Sequence, residues 1–411
     1  MIKRATVKIP MTDKTDKAIQ SLVTHFSRKL GDQLEAVYLF GSHARGYHQP
    51  GESDVNLLLV VADGTNIHLL RDLFRPIWQA YGEILRRAPY IAEVTAFRRW
   101  LHLNNLLAHH LKNDGRQLLG APDYLDDLPP LDPHEGFGRL AAEVMVASAA
   151  LAPDLLAPNV AQERLRLLRR LARRIRGKRL VGDETAVQLF ARIQHFLAPQ
   201  IGRLPAIQAW RKTPLPQHTS PILPGLQAIY KETGNMVLVF NQLTPQQILN
   251  TNWQLLAQRL QNQANGLAIT TTDQLCLALS YESPLDICLQ RYEHNWGTDI
   301  LSNLHIPTYQ LLRHAARIPT DIQIDSLPNA YFTQGEDKLH TIIHDFQNRL
   351  LNIQLEHELL CRIHHLDHFT PPEPLPDRKA PPLKRIDAIF QHLHWWAEHY
   401  AGDMAELQQE T

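Results

Sequence analysis

The sequence predicts an α+β protein in which a small mixed sheet with helices against it occurs twice. In residues 14–120, apolar stretches of strand composition alternate with stretches of helical periodicity. A similar order of segments returns after residue 225. The chain has 411 residues, which is long for one compact domain and favours two or three.

The predicted elements of the first part follow one another closely. Apolar residues at helical spacing predict helices, and short apolar runs bounded by turn residues predict strands. Strands are predicted at 36–40, 57–61 and 90–95, and helices at 14–31, 65–87 and 97–112.

Composition argues for a globular protein of the cytoplasm. Lysine and arginine number 42, as do aspartate and glutamate, so net charge does not indicate a nucleic-acid binder. The three cysteines are scattered, which suits a reducing compartment. No apolar run approaches membrane-spanning length and none resembles a signal core, so no membrane partner is expected.

The chemistry is predicted at the turn between the first two strands. Gly41 and Ser42 end the first apolar run, and Asp54 precedes the second. A glycine lets the backbone approach a ligand closely, and amides at a helix start can hold phosphate oxygens. Asp54 is placed to hold a divalent metal against the same phosphates.

Residues 36–61 resemble the DNA polymerase β-like nucleotidyltransferase superfamily, most closely its minimal and antibiotic-modifying members. The signature of these members is Gly-Ser, three residues, Gly, a variable loop, then a serine and two aspartates one residue apart. The matching positions here are Gly41, Ser42, Gly46, Ser53 and Asp54. Asn56 departs from the signature, because the family has its second aspartate there.

The resemblance implies a nucleoside triphosphate (NTP) and Mg²⁺ as ligands, and transfer of a nucleoside monophosphate to a hydroxyl of a protein, RNA or small molecule. Two carboxylates one residue apart on a strand face the same way and hold the metals. A third carboxylate comes from a neighbouring strand, where Glu93 is the candidate and Glu52 the alternative. The implied catalytic residues are Asp54 and Glu93. The implied metal ligands are Asp54, Asn56 and Glu93, and the implied nucleotide-binding residues are Gly41, Ser42, Arg45, Gly46, Ser53 and Asn56.

Asn56 leaves two functions open. An amide oxygen can ligate magnesium but brings no charge, so a metal site with Asn56 is weakened. The chain is then either a nucleotidyltransferase or a weakened or inactive pseudoenzyme. The pseudoenzyme would be a nucleotide-binding or interaction module, acting as a subunit or in the manner of an antitoxin.

The rest of the chain is predicted to contain a degenerate copy of the first domain. The predicted segments are a nucleotidyltransferase-like domain (1–120), a helical extension (121–202), a proline-rich linker (203–225), a degenerate nucleotidyltransferase-like domain (226–305), a second helical extension (306–370), a proline-rich spacer (371–382) and a C-terminal helix (383–411).

The proposed duplication depends on four alignments in the order of the chain. In the first, Gly234–Phe240 corresponds to Val55–Val61, and in the last, Gly297–Leu301 corresponds to Gly115–Leu119. Between them, helix 245–262 corresponds to helix 65–87, and Ile269–Thr272 to the strand around Glu93–Thr95. The copy has no Gly-Ser turn, and Thr233 stands where Asp54 would be. The alternative is that any two amphipathic α/β stretches can be aligned in this way.

Three surfaces are candidates for partners or metal. The arginine-rich helix Arg164–Arg179 binds nucleic acid or is a solvated face over an apolar stripe. The C-terminal helix docks its apolar face on a protein partner or on its own chain. Histidine pairs such as His340 and His344, or His364 and His368, have the spacing of zinc ligands on a helix, although surface histidines are the commoner explanation.

Overall fold

The first sheet and its helices form within residues 14–120 of the computed structural model. Their order is α1 Lys14–Leu30, β1 Leu34–Phe40, α2 Gly41–Ala44, β2 Asn56–Val61, α3 Ile67–Leu85, β3 Tyr90–Glu93, α4 Val94–Leu103, α5 Asn105–Asp114 and β4 Arg116–Gly120. The structure describes residues 14–410 except 47, 49–52, 104, 121, 127, 129–132, 156–161, 177–183, 213–222, 233–234, 252–265, 283–291, 304–307, 365–368, 370, 372–373 and 378.

The second part begins with four helices and continues into a second sheet. Its elements are α6 Pro133–Leu155, α7 Gln162–Arg176, α8 Ala186–Ile201, α9 Pro205–Trp210, β5 Leu226–Glu232, β6 Asn235–Phe240, α10 Pro245–Asn250, β7 Gly266–Thr271, α11 Thr272–Leu277 and β8 Glu293–Gly297. Four helices follow, which are α12 Thr308–Asp321, α13 Leu327–Thr333, α14 Leu339–His364 and α15 Pro382–Glu410. A π-helical turn, Ile322–Ser326, joins α12 to α13.

The two sheets have the same topology. The strand orders are β3-β2-β1-β4 and β7-β6-β5-β8, with one parallel pair in each sheet, β2 with β3 and β6 with β7. The central strands β1 and β2 are almost entirely buried, as expected where helices cover both faces of a sheet. The predicted fold class, a small mixed sheet that occurs twice, is confirmed.

The equivalence of the sheets extends to their register. Ala36 pairs with Val60 and Gly120, and Ala228 pairs with Val239 and Gly297. A Cβ atom on Gly120 would lie 2.2 Å from a carbonyl oxygen of β1, and one on Gly297 would lie 2.1 Å from the corresponding oxygen of β5. Each glycine is therefore required by the same close approach of two strands.

This register corrects one of the sequence alignments. The correspondence of Gly234–Phe240 with Val55–Val61 agrees with the pairing of β6. The alignment of Gly297 with Gly115 is wrong, because Gly297 occupies the position of Gly120. The error arose because a glycine precedes β4 as well as ending it, and β8 has no apolar run to fix the alignment.

The second sheet lacks the segment that carries the predicted chemistry. Residues 41–55 separate β1 from β2, whereas only residues 233 and 234 separate β5 from β6. Thr233, which was expected in place of Asp54, lies outside the described residues.

The chain divides into two compact units whose composition differs from the predicted order of segments. One unit comprises residues 1–131 and 312–411, and the other comprises residues 132–311. The helices after the first sheet thus belong with the second sheet, and most of the helices after the second sheet belong with the first. The predicted linker 203–225 also contains α9, whose Ile207 and Trp210 are buried. The boundaries predicted within each unit stay a prediction.

The C-terminal helix α15 packs on its own unit. Its predicted apolar stripe is buried, and α15 lies against α14. The buried residues are Ile386, Ile389, Leu393 and Trp396. Of the two expected alternatives, a protein partner or its own chain, this packing supports docking on its own chain. None of the helices in the described part of the chain has the length and apolar character needed to cross a membrane.

Candidate functional site

The turn after β1 and the start of β2 meet at one edge of the first sheet. Phe40, the last residue of β1, pairs with Asn56, the first residue of β2. Gly41 and Ser42 follow the first member of this pair, and Asp54 precedes the second by two residues. The antiparallel pairing therefore brings the Gly-Ser turn and Asp54 to the same edge.

Gly41 is required at this turn by its backbone and by its neighbour. Its φ is +78°, and a Cβ atom there would lie 2.5 Å from Asn56 Nδ2. An L-residue at such a φ is strained, and here it would also collide with a side chain. The backbone of the turn thus lies directly against Asn56.

Asp54 and Ser42 are both accessible. Ser42 and Ser53 are partly exposed, and the Asp54 side chain is 40% exposed. Arg86 Nε lies 3.8 Å from Asp54 Oδ1. The carboxylate of Asp54 is therefore paired with an arginine.

Arg86 adopts an unusual backbone conformation. Its φ is +63°, and it is the single non-glycine residue with positive φ in the described ranges. It follows the last residue of α3, where a left-handed cap is usually glycine or asparagine. Side chains in this conformation cost about 1–2 kcal/mol and cluster at functional sites. The cap places two successive arginines, Arg86 and Arg87, beside the site.

Arg87 lies next to Asn56. Its guanidinium NH1 is 3.5 Å from Asn56 Oδ1 and donates to the Tyr90 hydroxyl at 2.8 Å. Its NH2 pairs with Asp325 of the π-helical turn, and its Cζ lies 4.0 Å from the Tyr90 ring centroid. Burial raises the pKa of Tyr90 to about 12, so the phenol stays neutral. The side chain of Arg87 is 15% exposed, which makes this a partly buried cation.

Glu93 lies away from Asp54. In the parallel pair, Val61 is level with Glu93, whereas Asn56 begins the same strand. Five residues at about 3.3 Å each separate the two ends by about 17 Å. The geometry therefore does not bring Glu93 to the site, which corrects the expected set of three metal ligands. Glu52, the alternative, lies outside the described residues.

At its own end of the sheet, Glu93 belongs to a different polar group. Its carboxylate accepts a hydrogen bond from Gly64 N at 2.9 Å. Burial raises its pKa, and His394 and Arg99 oppose that shift. At the start of β3, which lies level with the start of β2, the local residues are Arg87, Ala88 and Tyr90, and none of them is a carboxylate.

The remaining predicted residues lie around the turn. Arg45 is exposed, and its guanidinium is 3.9 Å from Asp114. Gly46 has a φ of +75° with no atom near its missing Cβ. His43, which the sequence did not single out, is held by Asp16 through a 3.2 Å contact at Nε2. His43 stands within the Gly-Ser-x-x-x-Gly motif, which is a signal that sequence reasoning could have used.

The donor set that the described residues supply at this edge does not fit a pair of magnesium ions. One carboxylate, Asp54, faces Arg86, and one amide, Asn56, faces Arg87, whereas two metals require several carboxylates. Within the described residues, no three histidine, cysteine, aspartate or glutamate side chains are grouped to hold a metal ion. Of the proposed histidine ligands, His368 lies outside the described residues, as does the side chain of His364.

The topology of the first sheet and the residues beside the Phe40–Asn56 pair indicate the kind of protein that the first domain resembles. A four-stranded mixed sheet with a Gly-Ser turn beside an aspartate is the arrangement expected of a nucleotide-transferring domain. Residues 19–112 match the family model described as "Nucleotidyltransferase domain", so this part of the chain is similar to that family. The match begins within α1 and ends within α5. No curated protein matches the chain.

The surface predicted to bind nucleic acid belongs to α7. Leu168, Leu171 and Ala172 of this helix are buried in the core of the second unit, and Arg166 and Arg170 are exposed. The apolar stripe is thus present, and a nucleic-acid role for the outer face stays a prediction. Arg179 lies outside the described residues.

Proposed function

We propose that the chain is a nucleoside-triphosphate-binding nucleotidyltransferase-family protein in which metal-dependent transfer is weakened. The observation that carries this proposal is the pairing of Phe40 with Asn56, which sets the Gly-Ser turn beside Asp54. Ser42 and the backbone of the turn would hold phosphate oxygens, as the family resemblance implies. Arg86 and Arg87 would supply positive charge to the triphosphate.

Arg86 and Arg87 favour a protein that still binds the triphosphate but transfers the nucleotide poorly, rather than one that has lost triphosphate binding. In transfer, an acceptor hydroxyl attacks the α-phosphorus and pyrophosphate leaves, and charge develops on both sides of the phosphorus. Metals that bridge attacking and leaving oxygens stabilise that charge. Arginines can neutralise a bound triphosphate, but among the described residues at this edge Asp54 is the one carboxylate placed to position a metal.

The second candidate is an active transferase that uses Asp54 with Mg²⁺. The 40% exposure of Asp54 favours it, because an accessible carboxylate can exchange Arg86 for a cation. The acceptor would be a hydroxyl of a protein, RNA or small molecule. Magnesium-dependent transfer of label from an α-labelled triphosphate, abolished by Asp54→Ala, would establish this alternative.

Asn56→Asp is expected to make triphosphate binding depend on magnesium. The new carboxylate would lie two residues from Asp54, on the same side of the chain, and Arg87 is already paired with Asp325. We expect the affinity for ATP in Mg²⁺ to rise about tenfold, or about 1.4 kcal/mol. Isothermal titration with and without Mg²⁺ measures the change.

The matched control is Asn66→Asp. Asn66 caps α3 because its side-chain oxygen accepts hydrogen bonds from His68 N and Leu69 N, and aspartate caps equally well. This variant adds the same charge to the same domain away from the Gly-Ser turn and should leave magnesium dependence unchanged. If wild-type protein binds no triphosphate under any condition, the proposed function fails.

A further inference from the structure

The segment 322–333, formed by the π-helical turn and α13, lies against the end of α3 and the start of β3. Asp325 pairs with Arg87, and Asn329 Oδ1 accepts a hydrogen bond from Ala88 N at 2.9 Å. Tyr331 contacts the other end of α3, where its hydroxyl lies 2.7 Å from His68 Nδ1. The segment therefore contacts the site on the side of Arg87, through Asp325 and Asn329.

Asp325 holds the cation that a bound triphosphate would need. A guanidinium offers donors in a planar fork that fits carboxylate and phosphate equally well. NH1 of Arg87 is directed to Tyr90 and Asn56, and NH2 to Asp325. A phosphate that reaches the edge at Asn56 would meet Arg87 with its NH2 already paired to an internal carboxylate.

The negative charge of Asp325 adds to this competition. Its side chain is 35% exposed and that of Arg87 is 15% exposed, so solvent screens the pair only partly. A polyphosphate beside Asn56 would repel the carboxylate while attracting the guanidinium. Asp325 lies in a π-helical turn, a local geometry that is frequent at functional sites.

We propose that Asp325 and the phosphates of a nucleoside triphosphate compete for Arg87, so that nucleotide binding loosens the contacts that Asp325 and Asn329 make with Arg87 and Ala88. The inference rests on the proposed function, because it assigns a regulatory residue to the same site. Without nucleotide, Asp325 restrains Arg87 and the segment stays attached. With nucleotide, Arg87 turns to the phosphates and the contacts of Asp325 and Asn329 loosen.

Asp325→Asn is the direct test. Removing the competing charge should tighten binding of ATP, and of inorganic tripolyphosphate, about tenfold in the absence of divalent metal. The matched control is Glu336→Gln, which removes a carboxylate from a second arginine that contacts the same segment, Arg71 at 2.7 Å. That variant should bind ATP as wild type does, because Arg71 is not part of the site.

Hydrogen exchange gives a second readout in unaltered protein. The Ala88 amide donates to Asn329, so ATP should speed its exchange in wild type if this contact loosens. An Asp325→Asn variant that binds ATP no more tightly than wild type would overturn the proposal, as would unchanged or slower exchange at Ala88. Both results leave the proposed function standing, provided that wild type binds ATP. Failure of wild type to bind ATP would end both.

Discussion

A chain that ends after residue 131 is expected not to fold, although it contains the whole stretch that matches the nucleotidyltransferase domain. The first sheet shares its compact unit with residues 312–411. Arg71 donates to Tyr331 O at 2.9 Å and to Glu336 at 2.7 Å, and Trp100 donates to Asp321 at 2.9 Å. The ring centroids of Phe74 and Phe332 lie 5.9 Å apart. These contacts all disappear in the truncated chain.

The loss is large relative to the stability of a domain. Exposing a buried large apolar side chain costs about 1.5–3 kcal/mol, and losing a hydrogen bond to a charged group costs about 1.5–3 kcal/mol. Two losses of each kind approach the whole stability of a typical domain, about 5–15 kcal/mol. Phe74, Trp100 and the Arg71 side chain are all buried in the intact unit, so losses of both kinds occur together.

The measurement compares two chains by circular dichroism and one-dimensional NMR. One contains residues 1–131 alone, and the other joins 1–131 to 312–411 through a flexible linker. The joined chain should melt cooperatively with dispersed amide signals, and the short chain should do neither. A short chain that melts cooperatively at the same temperature as the joined chain would show that the C-terminal helices are dispensable.

The sequence predicted the local elements of the first sheet because they depend on short-range patterns. The apolar runs that became β1 and β2 and the helical stripe of α1 all lie where their residues indicated. The Gly-Ser turn and Asp54 were found together because an antiparallel pair links residues close in the chain. Residues that are near one another in the sequence are sufficient to predict each of these features.

What the sequence did not predict depends on contacts between distant residues. The strand of Glu93 was expected, but its parallel direction decides which end of the sheet the carboxylate reaches. Asp325 lies 238 residues from Arg87, and no local pattern marks their pairing. The left-handed cap at Arg86 carries no glycine to reveal it. The sequence analysis grouped each set of helices with the sheet that precedes it in the chain. In the structure, the two compact units do not follow chain order.

Gly41→Ala is expected to weaken triphosphate binding by at least about tenfold. A left-handed backbone costs an alanine about 1–2 kcal/mol wherever it occurs. At residue 41 the new Cβ would also lie 2.5 Å from Asn56 Nδ2, so either the turn or the Asn56 side chain must move. Either movement disturbs the edge at which the turn, Asp54 and Arg87 are proposed to meet the phosphates.

Gly64→Ala separates this steric effect from backbone strain. Gly64 has a φ of +77°, nearly that of Gly41, but no atom lies within 4 Å of its missing Cβ. Both variants should lose a similar amount of stability from strain in thermal melts, and only Gly41→Ala should lose affinity in ATP titrations. Equal ATP affinities for the two folded variants would contradict a phosphate-binding role for the turn, because the collision with Asn56 would then have no consequence for the ligand.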